Sequence, residues 1–209
     1  MQTLIEHART FPAALSERRE EFARLANGQR PQALFISCSD SRVIPSMFTG
    51  ARPGDLFELR TAGNIVPRYR AQAGACGVAG SLEFAVQALG VPDIVVCGHS
   101  HCGAVQGLVR EQGVASMPLV GRWLAWAGHR PDADGTARAQ GPAEAQGSAP
   151  DLVAVTQQHV LTQLDHLRSY PFVARRLAAG RLRLHAWYYT VETGAVQAWK
   201  PASGAFQAL

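Results

Sequence analysis

The sequence predicts an α/β fold with a central, mainly parallel sheet flanked by helices, an antiparallel edge strand and an N-terminal helical arm. Two observations carry this prediction. Short apolar runs at residues 33–37 and 93–98 are rich in Ile and Val and are bounded by Gly and Pro, as is typical of buried parallel strands. Segments with apolar residues at helical spacing follow them, so strand and helix alternate along the chain.

Capping and breaking residues set the expected boundaries. Ser16 is placed to cap a helix over residues 15–27, which Gly28 ends. Gly90 and Pro92 end a helix over residues 74–89, because proline cannot continue it. The remaining predicted elements are strands at 56–60 and 181–189, helices at 103–110, 118–126, 152–167 and 171–180, and a hairpin strand at 195–199. About four parallel strands and one antiparallel edge strand result.

The composition fits one domain spanning residues 1–209. Apolar residues make up 47% of the chain and charged residues 17%, which is ordinary for a globular protein with one core. Residues 1–27 are the helical arm. Residues 128–150 consist largely of Ala, Gly, Pro, Gln and Asp, with little to bury, and predict a flexible loop.

Charge and hydropathy argue against nucleic-acid and membrane partners. The net charge is +4, but the arginines are scattered, Lys200 is the only lysine, and no aromatic residues are interleaved for base stacking. Residues 1–11 do not have the pattern of a secretory signal. The apolar stretch at residues 73–91 is interrupted by Glu83 and Gln87. We expect a cytoplasmic protein.

Potential metal ligands follow two of the predicted strands. Cys38 ends the run at 33–37, while His99 and Cys102 follow the run at 93–98. Ligands of open parallel sheets bind beyond the carboxyl ends of the strands, and zinc prefers thiolate and imidazole. We therefore predict one Zn²⁺ per chain on these three residues. The alternative, two core thiols and a hydrogen-bonded loop histidine, is favoured for each residue alone but less for all three together.

Four short motifs extend the pattern around these residues. They are C-S-D-S-R at 38–42, G-H-S-H-C-G at 98–103, Arg60 with the following Thr-Ala-Gly-Asn, and Leu-His-Ala-Trp at 184–187. With these motifs the chain resembles the β-class carbonic anhydrases over residues 28–199. The resemblance implies that Cys38, His99 and Cys102 bind zinc and that Asp40 and Arg42 form a dyad. It also implies reversible hydration of carbon dioxide to bicarbonate and a proton, by attack of zinc-bound hydroxide.

Resting sites in this family are either open or closed, and the two forms differ in whether the aspartate binds the metal. A bidentate pair with Arg42 would hold Asp40 off the metal, whereas a broken pair would let Asp40 become a fourth ligand in a closed state. Phe35 stands where closed members usually carry tryptophan, which favours the open form. By the same resemblance, Gln29, Phe57 and Phe84 bind substrate. We expect Ala62 to add to the apolar wall beside the nucleophile and the backbone N–H of Gly103, at a helix start, to donate to the substrate.

The resemblance also implies a homodimer or homotetramer with sites at the subunit interface, built by residues of both chains. Two alternatives to carbon dioxide hydration stay open at this point. One is a carbon disulfide or carbonyl sulfide hydrolase of the same family, which would use the same metal site. The other is a non-catalytic zinc- or bicarbonate-binding protein. We expect His101 to be a solvent-facing loop residue.

Overall fold

The computed structural model describes residues 1–70, 76–109, 116–128 and 151–209. The chain divides into two units, Met1–Arg30 and Pro31–Leu209. The first unit contains α1 (Gln2–Ala14), a 3₁₀ turn (Ser16–Arg18) and α2 (Arg19–Leu25). The predicted cap is wrong, because Arg18, rather than Ser16, precedes α2. The single domain with an arm at residues 1–27 stays a prediction.

The second unit is built on one six-stranded sheet. Its strands are β1 (Ala33–Cys38), β2 (Leu56–Thr61), β3 (Asp93–His99), β4 (Arg183–Tyr189), β5 (Val196–Lys200) and β6 (Ala205–Ala208). Their order across the sheet is β2-β1-β3-β4-β5-β6. The first four are parallel, while β5 and β6 pair antiparallel. The predicted α/β fold is confirmed, and β6 is an additional antiparallel strand that was not predicted.

The helices of the second unit flank this sheet. They are α3 (Pro45–Thr49), α4 (Gly77–Glu83), α5 (Gly103–Val109), α6 (Pro118–Ala125), α7 (Leu152–Arg168) and α8 (Pro171–Ala178). The predicted helices at 103, 118, 152 and 171 begin where expected. The short helix α3 was not predicted. Among the described helices, none is both long and apolar enough to cross a membrane.

The helix predicted over residues 74–89 differs from a regular α-helix at its end. α4 passes into a π-helical turn (Phe84–Ala88), in which the Leu89 amide donates to the Phe84 carbonyl at 3.0 Å. Gly90 then adopts the left-handed conformation at φ 68° and ends the helix, as predicted. The predicted start at residue 74 and the loop over 128–150, except for residue 128, lie outside the described residues, as does residue 110.

The core lies on both faces of the neighbouring strands β1 and β3. Every residue of β1 is buried, as is all of β3 beyond its first residue. α7 packs against β3 at Gly98, where an added Cβ would lie 2.6 Å from Val160 Cγ2 and 3.0 Å from Thr156 Cγ2. Glycine therefore lets α7 approach the end of β3 that leads into His99.

We predict that Gly98→Ala destabilises the protein by about 1–3 kcal/mol, because the extra methyl group forces α7 away from β3. Urea unfolding of metal-free protein measures this. Gly80→Ala is the matched control: its Cβ would meet nothing within 4 Å and lies inside α4, so it should raise the free energy of unfolding by about 0.5–1 kcal/mol. Equal stabilities for Gly98→Ala and the unmodified protein would contradict this packing.

Candidate metal centre

Two of the three predicted ligands are brought together by the pairing of β1 with β3. Ser37 lies opposite Cys97 in the parallel register, so Cys38 and His99 leave the sheet at the same edge. Cys102 precedes α5, and its carbonyl accepts the Gln106 amide at 3.0 Å. The potential ligand atoms of Cys38, His99 and Cys102 all lie within 4.8 Å of one another, and all three residues are buried.

The His99 ring has one nitrogen available for a ligand. Its Nδ1 lies 2.8 Å from the Ser100 carbonyl oxygen, to which it donates. Nε2 therefore carries the lone pair, and within the described part of the chain this buried atom has no hydrogen-bond partner. An unpaired buried polar atom costs free energy, and a metal ion would satisfy it. The donor set thus fits a divalent metal ion.

The two thiols lie close enough to perturb each other. Cys102 Sγ is 4.0 Å from Cys38 Sγ and donates to it, which lowers the pKa of the Cys38 thiol. The pKa of Cys102 is raised, because the same contact favours its neutral thiol and a second thiolate there would be repelled. A cation between the sulfurs would stabilise both as thiolates.

A glycine amide supports the Cys38 sulfur. The Gly63 N–H donates to Cys38 Sγ at 3.3 Å from the 3₁₀ turn Ala62–Asn64 that follows β2. Gly63 has a φ of +73°, and an added Cβ would lie 2.8 Å from the Cβ of Ala104. Its carbonyl accepts from the buried His159 Nε2 at 2.7 Å. Conformation and space therefore both require glycine here.

Asp40 and Arg42 form a bidentate ion pair beside the three candidate ligands. Arg42 Nε lies 2.9 Å from Asp40 Oδ1, and Nη2 lies 2.8 Å from Oδ2. The Arg42 amide donates to Oδ1 as well, at 3.0 Å. These hydrogen bonds hold the pKa of Asp40 well below its usual range. Asp40 Oδ2 is 3.9 Å from His99 Nε2, so the carboxylate lies next to the free ring nitrogen.

Arg60 stabilises the segment that carries the Asp40–Arg42 pair. Its guanidinium donates to the carbonyl oxygens of Cys38, Asp40 and Val43 at distances from 2.7 to 3.2 Å. Arg60 was singled out in the sequence only through the family motif. Its contacts show what it does in this chain: it fixes the turn after β1.

The sequence analysis missed Glu192, which lies in the turn between β4 and β5. Its carboxylate accepts from Ser100 Oγ at 2.7 Å and contacts His101 Nε2. The hydrogen bonds from Ser100 and His101 lower the pKa of Glu192 to about 2. His101, at φ 54°, is thus held by its contact with Glu192. Its carbonyl oxygen accepts a hydrogen bond from Arg42 Nη2 at 3.3 Å. Glu192 holds the segment between the candidate ligands His99 and Cys102.

The predicted substrate residues are distributed over different parts of the chain. Ala62 adjoins Gly63, and Gly103 adjoins Cys102. Phe57 is opposite Leu34 in the sheet. Because Leu34 precedes Cys38 by four residues, Phe57 lies roughly 13 Å from Cys38 along the strand direction. The Phe84 ring packs 5.9 Å from the Phe57 ring and is 48% exposed. Gln29 belongs to the Met1–Arg30 unit, and its contact with substrate stays a prediction.

A family model described as carbonic anhydrase matches residues 33–196. The chain belongs to the β-carbonic anhydrase family of enzymes. A carbonic anhydrase of Pseudomonas aeruginosa is 46% identical to it over 197 residues, which cover 94% of this chain and 86% of that protein. This level of identity extends well beyond the metal-site motifs.

Solved β-carbonic anhydrase structures share the fold. That of the β-carbonic anhydrase CcaA superposes with a TM-score of 0.84 at 37% identity, covering 100% of this chain and 99% of that one. One of two tetrameric β-carbonic anhydrases from Sordaria macrospora gives a TM-score of 0.73 at 25% identity, covering 99% and 98%. The similarity therefore includes the sheet and the segments that hold the candidate metal ligands.

We predict that Glu192→Ala lowers the affinity for zinc by about tenfold, because the segment carrying His99 and Cys102 loses its anchor. Competition with a coloured zinc chelator measures this affinity. Asp165→Ala serves as the matched control, since it removes an exposed carboxylate whose partner is Arg168 on α7. The control should bind zinc like the unmodified chain. Equal zinc affinities in both variants would show that Glu192 does not support the ligands.

Proposed function

We propose that this chain catalyses the reversible hydration of carbon dioxide to bicarbonate and a proton, with one Zn²⁺ per chain on Cys38, His99 and Cys102. The observation that carries the proposal is the buried set of donor atoms within 4.8 Å of one another, with His99 Nε2 unpartnered among the described residues. Two thiolates and an imidazole suit zinc, and three protein ligands leave a fourth position open. The similar proteins named as carbonic anhydrases support the choice of reaction.

Zinc in this position would lower the pKa of a bound water towards neutrality, which makes hydroxide available to attack the carbon of carbon dioxide. The protein contributes orientation. Asp40 is held by Arg42 and keeps a low pKa, so its carboxylate stays ionised and acts only as a hydrogen-bond acceptor. A fixed acceptor 3.9 Å from His99 Nε2 can align the nucleophile towards the substrate.

The contacts of Asp40 favour the open form of the site. For Asp40 to become a fourth ligand, two charge-assisted hydrogen bonds to Arg42 would have to break. Arg42 is itself held, since its Nη2 also donates to the His101 carbonyl. We therefore propose that the resting site leaves the fourth position to water and substrate.

A second copy of the chain would complete the substrate pocket. Carbon dioxide is small and apolar and needs an apolar wall beside the nucleophile. Phe57 lies too far along the sheet from Cys38 to form that wall in its own chain, and the exposed Phe84 packs against it. This supports a homodimer or homotetramer in which Phe57 and Phe84, with Gln29, serve the partner's metal centre. Ala62 and the Gly103 amide would act in the substrate pocket of their own chain.

We also propose that the protein is located in the cytoplasm.

The metal ligands are tested by Cys38→Ser. We expect the variant to lose stoichiometric zinc and at least about 100-fold in carbon dioxide hydration, because a hydroxyl is a poor zinc ligand. Metal analysis and a stopped-flow assay measure the two effects. Cys76→Ser, a cysteine outside the metal centre, is the control and should keep both zinc and activity.

Full activity in a zinc-free Cys38→Ser protein would overturn the proposal. Zinc bound without turnover in the unmodified chain would instead indicate a binding protein. Carbonyl sulfide and carbon disulfide are assayed in parallel, and turnover of these substrates without hydration of carbon dioxide would replace the proposed reaction by hydrolysis.

The shared pocket is tested by mixing two variants, Cys38→Ser and Phe84→Ala. Each alone should have low activity. If Phe84 serves the partner's site, a mixed dimer contains one site with all its residues intact, and random mixing restores up to about a quarter of the unmodified activity. Activity of the re-associated mixture is compared with the mean of the separate variants. A mixture no more active than that mean would place Phe84 in the pocket of its own chain or outside any pocket.

A further inference from the structure

A basic groove lies between α8 and the π-helical turn Phe84–Ala88. Its volume is about 350 Å³, which falls within the range of small-ligand sites. The turn contributes Val86 and Gln87, α8 contributes Phe172, Arg175 and Arg176, and Arg181 follows α8. Three of the six lining residues are arginines and none is acidic, so the groove carries an excess of positive charge.

Arg176 lines this groove and is fixed by hydrogen bonds. Its Nη1 donates to the Val86 carbonyl at 2.5 Å, and its Nη2 donates to the carbonyls of Gly90 at 3.1 Å and Arg181 at 3.3 Å. These acceptors are neutral, and the described residues offer its guanidinium no carboxylate within ion-pair distance. The positive charge of Arg176 is therefore held in place without a counter-charge.

Arg175 and Arg181 add two exposed guanidinium groups to the same groove. Over the described ranges, neither side chain makes a hydrogen bond or an ion pair. The neighbouring acid Glu83 accepts from Gln87 Nε2 at 2.7 Å and does not line the groove. Both guanidinium groups are thus available to a ligand.

We propose that this groove binds a phosphate group, either as inorganic phosphate or as the phosphoryl end of a small organic molecule. Guanidinium groups bind tetrahedral oxyanions through paired hydrogen bonds. Three of them favour a phosphate monoester, which carries a charge of about −1.5 to −2 at pH 7, over a monovalent anion. Phe172, which also lines the groove and is 9% exposed, would contact an organic substituent.

Calorimetric titration of the zinc-loaded protein at low ionic strength tests the proposal. The probes are inorganic phosphate and phenyl phosphate, with chloride as the monovalent comparison. We expect both phosphates to bind and chloride not to bind. Tighter binding of phenyl phosphate identifies an organic phosphate as the occupant, whereas equal affinities identify inorganic phosphate.

The double variant Arg175→Gln, Arg181→Gln should weaken phosphate binding by at least about tenfold, because two charge-assisted hydrogen-bond donors are lost. The matched control Arg52→Gln, Arg168→Gln removes two exposed positive charges elsewhere and should bind phosphate like the unmodified chain. No heat from either phosphate would overturn the proposal. Equal phosphate binding in the two double variants would also overturn it, since the anion would then bind outside the groove. Neither outcome depends on carbon dioxide hydration.

Discussion

The parallel pairing of β1 with β3 is the constraint on which the metal centre depends. It places Cys38 and His99 at one edge of the sheet although they are 61 positions apart in the sequence. A slip of one residue would exchange the two faces of β3 and shift His99 along the sheet relative to Cys38. The close approach of α7 at Gly98 holds this end of β3 in place.

Around this edge, contacts from distant segments orient the functional groups. Arg60 on β2 fixes the turn after β1, while Glu192 after β4 fixes the segment between His99 and Cys102. Arg42 connects the two segments, because it binds the Asp40 carboxylate and the His101 carbonyl together. The site is thus held by hydrogen bonds to several backbone and side-chain groups.

Local patterns predicted the parallel part of the fold because buried strands and amphipathic helices leave apolar runs of recognisable period. β6 left no such pattern: it has four residues, Phe206 is its one large apolar residue, and it is defined by pairing with β5. The π-helical turn Phe84–Ala88 was missed for a different reason. Its apolar spacing is close to that of an α-helix, and the changed hydrogen-bond register does not alter the residue types.

For the site, short motifs indicated the three potential ligands and the Asp40–Arg42 pair. These residues either lie close together in the sequence or stand at the ends of neighbouring strands. The contact of Glu192 with Ser100 joins positions 92 residues apart, and no local pattern indicates it. The separation of Phe57 from Cys38 also depends on strand register.

X-ray absorption at the zinc edge tests the central claim most directly, because it reports the atoms around the metal in the loaded protein. The account predicts two sulfur atoms at about 2.3 Å and one imidazole nitrogen at about 2.0 Å, with one further light atom. A first shell without sulfur, or with a single sulfur, would contradict the assignment of Cys38 and Cys102 as ligands and with it the proposed chemistry.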